Sequence, residues 1–350
     1  MSTSMINHRG PEFRELIIGI TEKMKQVYMT QNRMYILTAS GTGALEAAVV
    51  NTLSPGDKVL AVSVGYFGDR FTDVTRVYGA DVIKMDFEWG TAADPDAIRE
   101  ALRADPDIRA VQVTHNETST GITNDLASIS KVVKEESNAL LLVDAVSSMG
   151  CVPLPTDELR CDMVCTASQK GLMVPPGLSF VSVSEEAWEA RETAKMPRFY
   201  FDLPAAQRYL ERGQTPWTPN LSLFYGLDVA LDMMLKEGME NVFKRHKHIA
   251  NMTRQGVRAL GLELLADEAH ASDTVTSVKV PEGVDAGKLS AIMQTEHSVV
   301  LAGGQGVLQG KVFRIGHMGL VPEEDIREVL QALETTLPKV GFKPAHAAAG

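Results

Sequence analysis

The sequence predicts an α/β protein with a mostly parallel sheet flanked by helices, followed by a small C-terminal α+β unit. Three observations lead there. From about residue 34 to residue 183, short apolar and β-branched runs alternate with longer stretches of helical spacing, the pattern of repeated βα units. Most of these runs are apolar throughout rather than alternating, as strands covered on both faces are. Beyond about residue 260 the pattern changes to a few strands and helices of α+β type. We place a large domain at residues 1–240 and a small one at 241–350.

The candidate strands are 34–39 (MYILTA), 58–63 (KVLAVS), 109–114 (RAVQVT), 139–144 (ALLLVD), 162–167 (DMVCTA) and 178–183 (LSFVSV). Between them, 41–53 and 124–136 have helical apolar spacing, and Pro55-Gly56-Asp57 supplies a turn. Residues 219–236 and 239–260 read as helices broken at Gly238. Strands at 274–280 and 311–315, with helices near 285–296 and 322–337, make up the small unit. The closing KPAHAAAG reads as a frayed tail.

Composition narrows the function. Across 350 residues, 34 Lys+Arg against 45 Asp+Glu give a net charge of −11, which argues against a nucleic-acid-binding surface. With 44% apolar and 23% charged residues the chain is an ordinary globular protein. The start, MSTSMINHRGPEFREL, lacks the apolar core of a signal peptide, and no stretch reaches the ~20 apolar residues that span a bilayer. Cys151, Cys161 and Cys165 are odd in number and lie in apolar segments, so a reducing cytoplasm is expected. No metal site is expected.

Ligands of open parallel sheets bind beyond the carboxyl ends of the strands, and four strand ends carry polar residues here. Ser40-Gly41-Thr42 opens a helix whose free N–H groups can cradle a phosphate, although a plain N-cap explains the motif as well. Asp144 ends LLLVD, and a buried carboxylate there needs a cation or several donors, unless it caps the next turn. Lys170 lies between apolar segments that would disfavour its ammonium and make it a nucleophile; a solvated loop lysine is the alternative. His115-Asn116-Glu117-Thr118-Ser119-Thr120-Gly121 is a polar cluster that could equally be turn chemistry. Jointly, a phosphate cradle, a buried acid, a polar loop and a lysine at one sheet edge meet the needs of pyridoxal 5′-phosphate.

The ordered segments SGTGALEAA, GYFGDR, HNETSTG, LLVDAVSSMG, SQKGLMVPPG and KVFRIGHMG resemble the class V aminotransferases of fold type I, in the alanine–glyoxylate and serine–glyoxylate branch. The resemblance spans roughly residues 8–340 and implies a seven-stranded-type sheet. It implies that Lys170 is the Schiff-base lysine and Asp144 the partner of the pyridine nitrogen. It also implies that Phe67 stacks on the ring, Ser119 contacts the ring hydroxyl region, and Ser40, Gly41, Thr42 and Gln169 hold the phosphate. Thr218 would reach the phosphate of a neighbouring subunit, so a homodimer with shared sites is implied. Arg314 would grip the substrate α-carboxylate. The activity implied is ping-pong transfer of an amino group from alanine or serine to glyoxylate or pyruvate.

Two departures from the family pattern carry expectations. Relatives usually have a Gly-Pro-rich stretch before NHRGPEFREL; a late-assigned start codon is one explanation, and a real truncation that widens or disables the pocket and weakens the dimer is the other. Thr215 stands where some glyoxylate-using relatives place a tyrosine, so donor preference is expected to differ. Two other functions fit the segments less well. A PLP-dependent lyase or desulfurase would need a mobile-loop cysteine, and a non-catalytic subunit of an assembly would not need Lys170, Asp144 and Arg314 together.

Overall fold

The computed structural model describes residues 4–342, so the KPAHAAAG tail lies outside the described residues. The chain opens with α1 (Pro11–Tyr28), then β1 (Arg33–Leu37), α2 (Gly41–Thr52), β2 (Lys58–Ser63), α3 (Tyr66–Val77), β3 (Asp81–Asp86), α4 (Pro95–Ala104) and β4 (Ile108–Thr114). A short hairpin follows, β5 (Asn116–Glu117) and β6 (Ile122–Thr123), then α5 (Leu126–Glu136), β7 (Leu140–Asp144), β8 (Met163–Ala167) and β9 (Ser179–Val183). Helices α6 (Glu185–Thr193), α7 (Leu203–Leu210), α8 (Leu221–Glu237) and α9 (Met239–Ala259) lead into the last unit. That unit comprises β10 (Val275–Lys279), α10 (Ala286–His297), β11 (Ala302–Gly303), β12 (Val312–Gly316) and α11 (Glu323–Thr336).

The large sheet runs β1-β9-β8-β7-β4-β2-β3. All of its pairings are parallel except the two made by β9, with β1 and β8. Because β9 alone runs backwards, the carboxyl ends of β1, β8, β7, β4 and β2 share one edge. Alternate side chains of the strands enter two cores. On one face Val111, Leu141, Val143 and Val164 pack with α1, α4, α5 and α8; on the other, Val59, Leu142, Met163 and Val181 pack with α2, α3, α6 and α7. Burial on both faces explains why these strands are apolar throughout.

The six expected strands are present in the large sheet. The seventh, β3, is an edge strand whose residues are all exposed or half-buried, so no apolar run marked it. A third core gathers Val257 and Leu260 with Val278, Leu289, Met293, Phe313 and Leu333, beneath the antiparallel sheet β10-β12-β11. Gly238 breaks α8 from α9 at φ 84°, a left-handed conformation that glycine adopts without strain. No helix among the described residues is long and apolar enough to cross a membrane.

Candidate active site

The four polar strand ends meet at the shared carboxyl edge. Thr114 of β4 pairs with Asp144 of β7, and Asp144 with Cys165 of β8, two residues before that strand ends. Lys170 lies three residues past the end of β8. At the start of α2, a Cβ on Gly41 would come within 2.8 Å of Val146 Cγ2 and 3.4 Å of Ala167 Cβ. That close approach brings the α2 N-terminus over the residues that follow Asp144 and end β8.

The α2 terminus is suited to an anion. Its first turn has no acidic residue and Ser40 makes no side-chain cap bond, which leaves first-turn N–H groups free. Asp144 is buried, and the one hydrogen bond its carboxyl group makes among the described residues is accepted from the Val146 N–H at 2.9 Å. Burial, with the Glu117 carboxylate adding to it, pushes Asp144 up to about 7. A carboxyl group so placed lacks a cationic donor, and a protonated ring nitrogen would supply one.

Lys170 is half-buried and makes no ion pair or hydrogen bond through Nζ among the described residues. Burial, then the charge of Arg314, lowers its pKa, while Asp144 pulls the other way. An amine that sheds its proton readily and stands near a buried acid is equipped for carbonyl chemistry. Gln169 is exposed beside it. Both residues border a cleft of about 550 Å³ lined also by Met173, Gly226, Met233 and Met318. Phe67 is half-buried in the first turn of α3, with Arg70 one turn along the helix at 5.0 Å from the centre of its ring.

Arg314 comes from the other sheet, at the middle of β12 between Ser277 and Ala302. Its Nε donates to the Gly303 carbonyl (3.0 Å) and Nη1 to the Thr118 carbonyl (3.1 Å). One Nη1 proton and both on Nη2 remain, an end-on fork of the shape a carboxylate accepts.

The polar cluster after β4 is not a surface turn. His115, Asn116, Glu117, Ser119 and Thr120 are all buried, in and around the β5–β6 hairpin. Glu117 accepts from Phe67 N and Gly68 N at Oε2, both at 3.0 Å, and from Ser119 N and Oγ at Oε1. Its carboxylate therefore caps α3. The Ser119 hydroxyl donates to Glu117 at 2.6 Å and accepts the Tyr66 N–H at 3.0 Å. Thr118 is half-buried; its carbonyl accepts from Arg314 and its hydroxyl donates to Ser147 at 2.8 Å.

Thr218 is exposed and does not approach this subunit's own Lys170 through any hydrogen bond; Thr215 is buried, its hydroxyl donating to the Trp217 carbonyl at 2.7 Å. Sequence reasoning did not single out Arg70, and it named Asn116 only as one of the polar cluster. The spacing of three between Phe67 and Arg70 on one helix was the available signal for the first.

An α/β sheet with an uncapped helix N-terminus, a buried acid and a lysine at one edge, faced by an arginine from a second sheet, defines an enzyme built to hold an anionic cofactor and a carboxylate substrate. The chain belongs to the aminotransferase class-V family, whose model matches residues 1–327. It is 40% identical over 347 residues to the serine–glyoxylate aminotransferase of Methylorubrum extorquens, covering 96% of this chain and 86% of that protein. It is also 43% identical to a soluble hydrogenase 42 kDa subunit of Anabaena cylindrica, covering 99% and 90%. The crystal structure of an alanine–glyoxylate aminotransferase from Nostoc sp. superposes with a TM-score of 0.92 at 33% identity, covering 96% and 90%. The family implies pyridoxal 5′-phosphate as cofactor.

Proposed function

We propose that this aminotransferase moves the amino group of alanine or serine to glyoxylate or pyruvate on pyridoxal 5′-phosphate bound at the carboxyl edge of the large sheet. The observation that carries the reading is the buried Asp144, without a cationic hydrogen-bond partner of its own, on the strand next to the one that leads to Lys170. The bound cofactor supplies an electron-withdrawing ring that makes the substrate Cα–H acidic. Asp144 would accept a hydrogen bond from the protonated ring nitrogen. The α2 N-terminus with Ser40, Gly41 and Thr42, together with Gln169, holds the phosphate, and Thr218 of a second subunit reaches the same phosphate. Phe67 would cover the ring face. Lys170 would hold the cofactor aldehyde and, as a free amine, would carry the substrate Cα proton at Nζ, work that suits an amine of lowered pKa. Arg314 grips the α-carboxylate of donor and acceptor in turn, so both half-reactions use one anchor.

The reading keeps the division into units at residues 1–240 and 241–350 and places the protein in the cytoplasm as a homodimer. The desulfurase alternative loses its support, since Cys151, Cys161 and Cys165 are all buried. Burial pushes the Cys151 and Cys161 thiols up to about 12 and raises Cys165 as well, which leaves no ready thiolate. The hydrogenase name of one relative favours a second reading, a subunit of an assembly. Retention of Lys170, Asp144 and Arg314 weighs against it.

The test is a half-reaction screen. The PLP-loaded protein is mixed with a panel of amino acids, and the visible band is followed as it disappears and returns on adding 2-oxo acids. Alanine or serine should discharge it and glyoxylate or pyruvate restore it, and Lys170→Ala should have no such band. A purified protein that retains no PLP, or that no amino acid discharges, overturns the reading.

A further inference from the structure

We propose that Asn116 is a positioning residue for the carboxylate grip of Arg314, acting through Ser147 and Thr118. The inference rests on the reading that Arg314 binds the substrate α-carboxylate, and it assigns a role that neither the family pattern nor the residues around Lys170 supply.

Asn116 is buried, and its side-chain amide is satisfied on all sides. Nδ2 donates to Ser147 Oγ (2.8 Å) and Thr274 Oγ1 (3.0 Å); Oδ1 accepts from Thr123 Oγ1 (2.7 Å) and Ser272 Oγ (2.6 Å). Four hydrogen bonds exhaust what one amide can make. They tie together three separate pieces of chain: the β5–β6 hairpin, the turn three residues after Asp144, and the 272–274 segment that enters β10.

The proton positions close around the ring of groups. Ser147 donates its one proton to the Asn116 carbonyl at 2.8 Å, so its oxygen must accept from both Asn116 Nδ2 and Thr118 Oγ1, the latter at 2.8 Å. Ser272 spends its proton on Asn116 Oδ1, so the 3.1 Å contact between Ser272 and Thr274 has Thr274 as donor. Each hydroxyl has one consistent role, and a buried network in that condition holds its members rigidly. Main-chain contacts reinforce the junction: Ser272 N donates to the Gly121 carbonyl at 2.8 Å, and a Cβ on Gly121 would come within 3.2 Å of Ser277 N.

The consequence falls on Arg314. One of its two fixed partners is the Thr118 carbonyl, and Thr118 is held through its hydroxyl to Ser147, which Asn116 grips at two points. Its β10 neighbour Ser277 follows closely on Thr274, which Asn116 also holds. Asn116 thus sets both the carbonyl that aims the guanidinium and the strand beside it. Loss of the amide should loosen the aim of Arg314 without touching Lys170 or the phosphate cradle.

The test compares L-serine with ethanolamine, the same amine without its carboxylate, in single turnovers of the PLP-loaded protein, using Asn116→Ala and the milder Thr274→Val. Propionate binding, read as a shift in melting temperature, serves as a second measure of the carboxylate site. We expect Asn116→Ala to weaken serine and propionate binding by about tenfold, the scale of one or two lost buried hydrogen bonds. The visible PLP band and the ethanolamine rate should stay within about twofold. In an Arg314→Ala background, Asn116→Ala should add nothing. Equal losses for serine and ethanolamine, additive losses with Arg314→Ala, or unchanged propionate binding would overturn the proposal. If Asn116→Ala does not fold, Thr274→Val decides by the same criteria, and if wild type does not react with ethanolamine, propionate binding decides. A wild-type protein without a Lys170-dependent band would instead sink the functional reading itself.

Discussion

A single carboxyl group shows most directly what the site is for. In an unfolded chain Asp144 ionises near pH 4, whereas in the fold it is pushed up to about 7 by burial and by Glu117. Its folded pKa is raised, so its contribution to stability is fully present below pH 4 and is lost as pH rises through about 7. Above that, the empty protein carries a buried charge at a cost of up to about 4 kcal/mol. Asp144→Asn preserves an acceptor for the Val146 N–H and removes the charge. In the PLP-free state the variant should therefore match wild type near pH 4.5 and exceed it in stability at pH 8, as read by urea unfolding at the two pH values. With PLP bound the order should reverse, and transamination should fall by two to three orders of magnitude or so. A pH-independent difference between the two empty proteins would mean that Asp144 has a polar partner and is not held ready for a ring nitrogen. Asp144 and Lys170 were legible because each ends or follows an apolar run that leaves a charge nowhere comfortable to sit. The hydrogen bonds of Ser119 were not legible, since which hydroxyl Glu117 recruits is a tertiary fact.

Elements followed the same division. Strands β4, β7, β8 and β9 and helix α2 announced themselves through continuous apolar content, because burial on two sides demands it. The hairpin β5–β6 did not, because it is a buried element made almost wholly of polar residues, stabilised by satisfied hydrogen bonds rather than by apolar contact. The start of α3 belongs to that polar layer. Gly65 precedes it, and a Cβ there would lie 2.5 Å from Glu117 Cγ, so the carboxylate and the helix start occupy adjoining space. Glu117→Gln keeps the shape but turns amide protons towards the Phe67 and Gly68 N–H groups or towards those of Ser119. A destabilisation of about 3 kcal/mol is expected, together with weaker PLP retention because Phe67 shifts with the helix end. Ser119→Ala should cost stability and leave PLP retention unchanged, since its hydroxyl faces Glu117. Unfolding curves and PLP dissociation rates measured on both variants check this. Loss of PLP from Ser119→Ala at unchanged stability would return Ser119 to the cofactor's side.

At the scale of the whole molecule, the order of βα units and the shift to an α+β unit were readable, but the completeness of the site was not. Lys170, Asp144, the α2 N-terminus and Arg314 lie near one another within one chain, whereas exposed Thr218 makes no hydrogen bond to that chain's own Lys170 among the described residues. It sits on an exposed aromatic platform. Phe199 is 77% exposed and Tyr200 43%, Trp217 lies on both with ring centroids at 5.0 and 5.7 Å, and its Nε1 donates to the Tyr200 carbonyl at 2.9 Å. The Tyr200 hydroxyl in turn donates to the Thr38 carbonyl at 3.1 Å, two residues before Ser40 at the start of α2. Large apolar rings held rigidly at the rim of a ligand site suit an isologous contact, in which each copy offers the same patch and completes the other's cradle. If Thr218 acts across the interface, Lys170→Ala and Thr218→Trp subunits, each inactive alone, should regain activity when co-expressed. Half the dimers would be hybrids, each with one intact site of two, so about a quarter of wild-type activity is expected. No recovery, with hybrid dimers confirmed by mass, would place Thr218 in the service of its own chain. A wild-type protein that sediments as a monomer while turning over would remove the partner from the mechanism altogether.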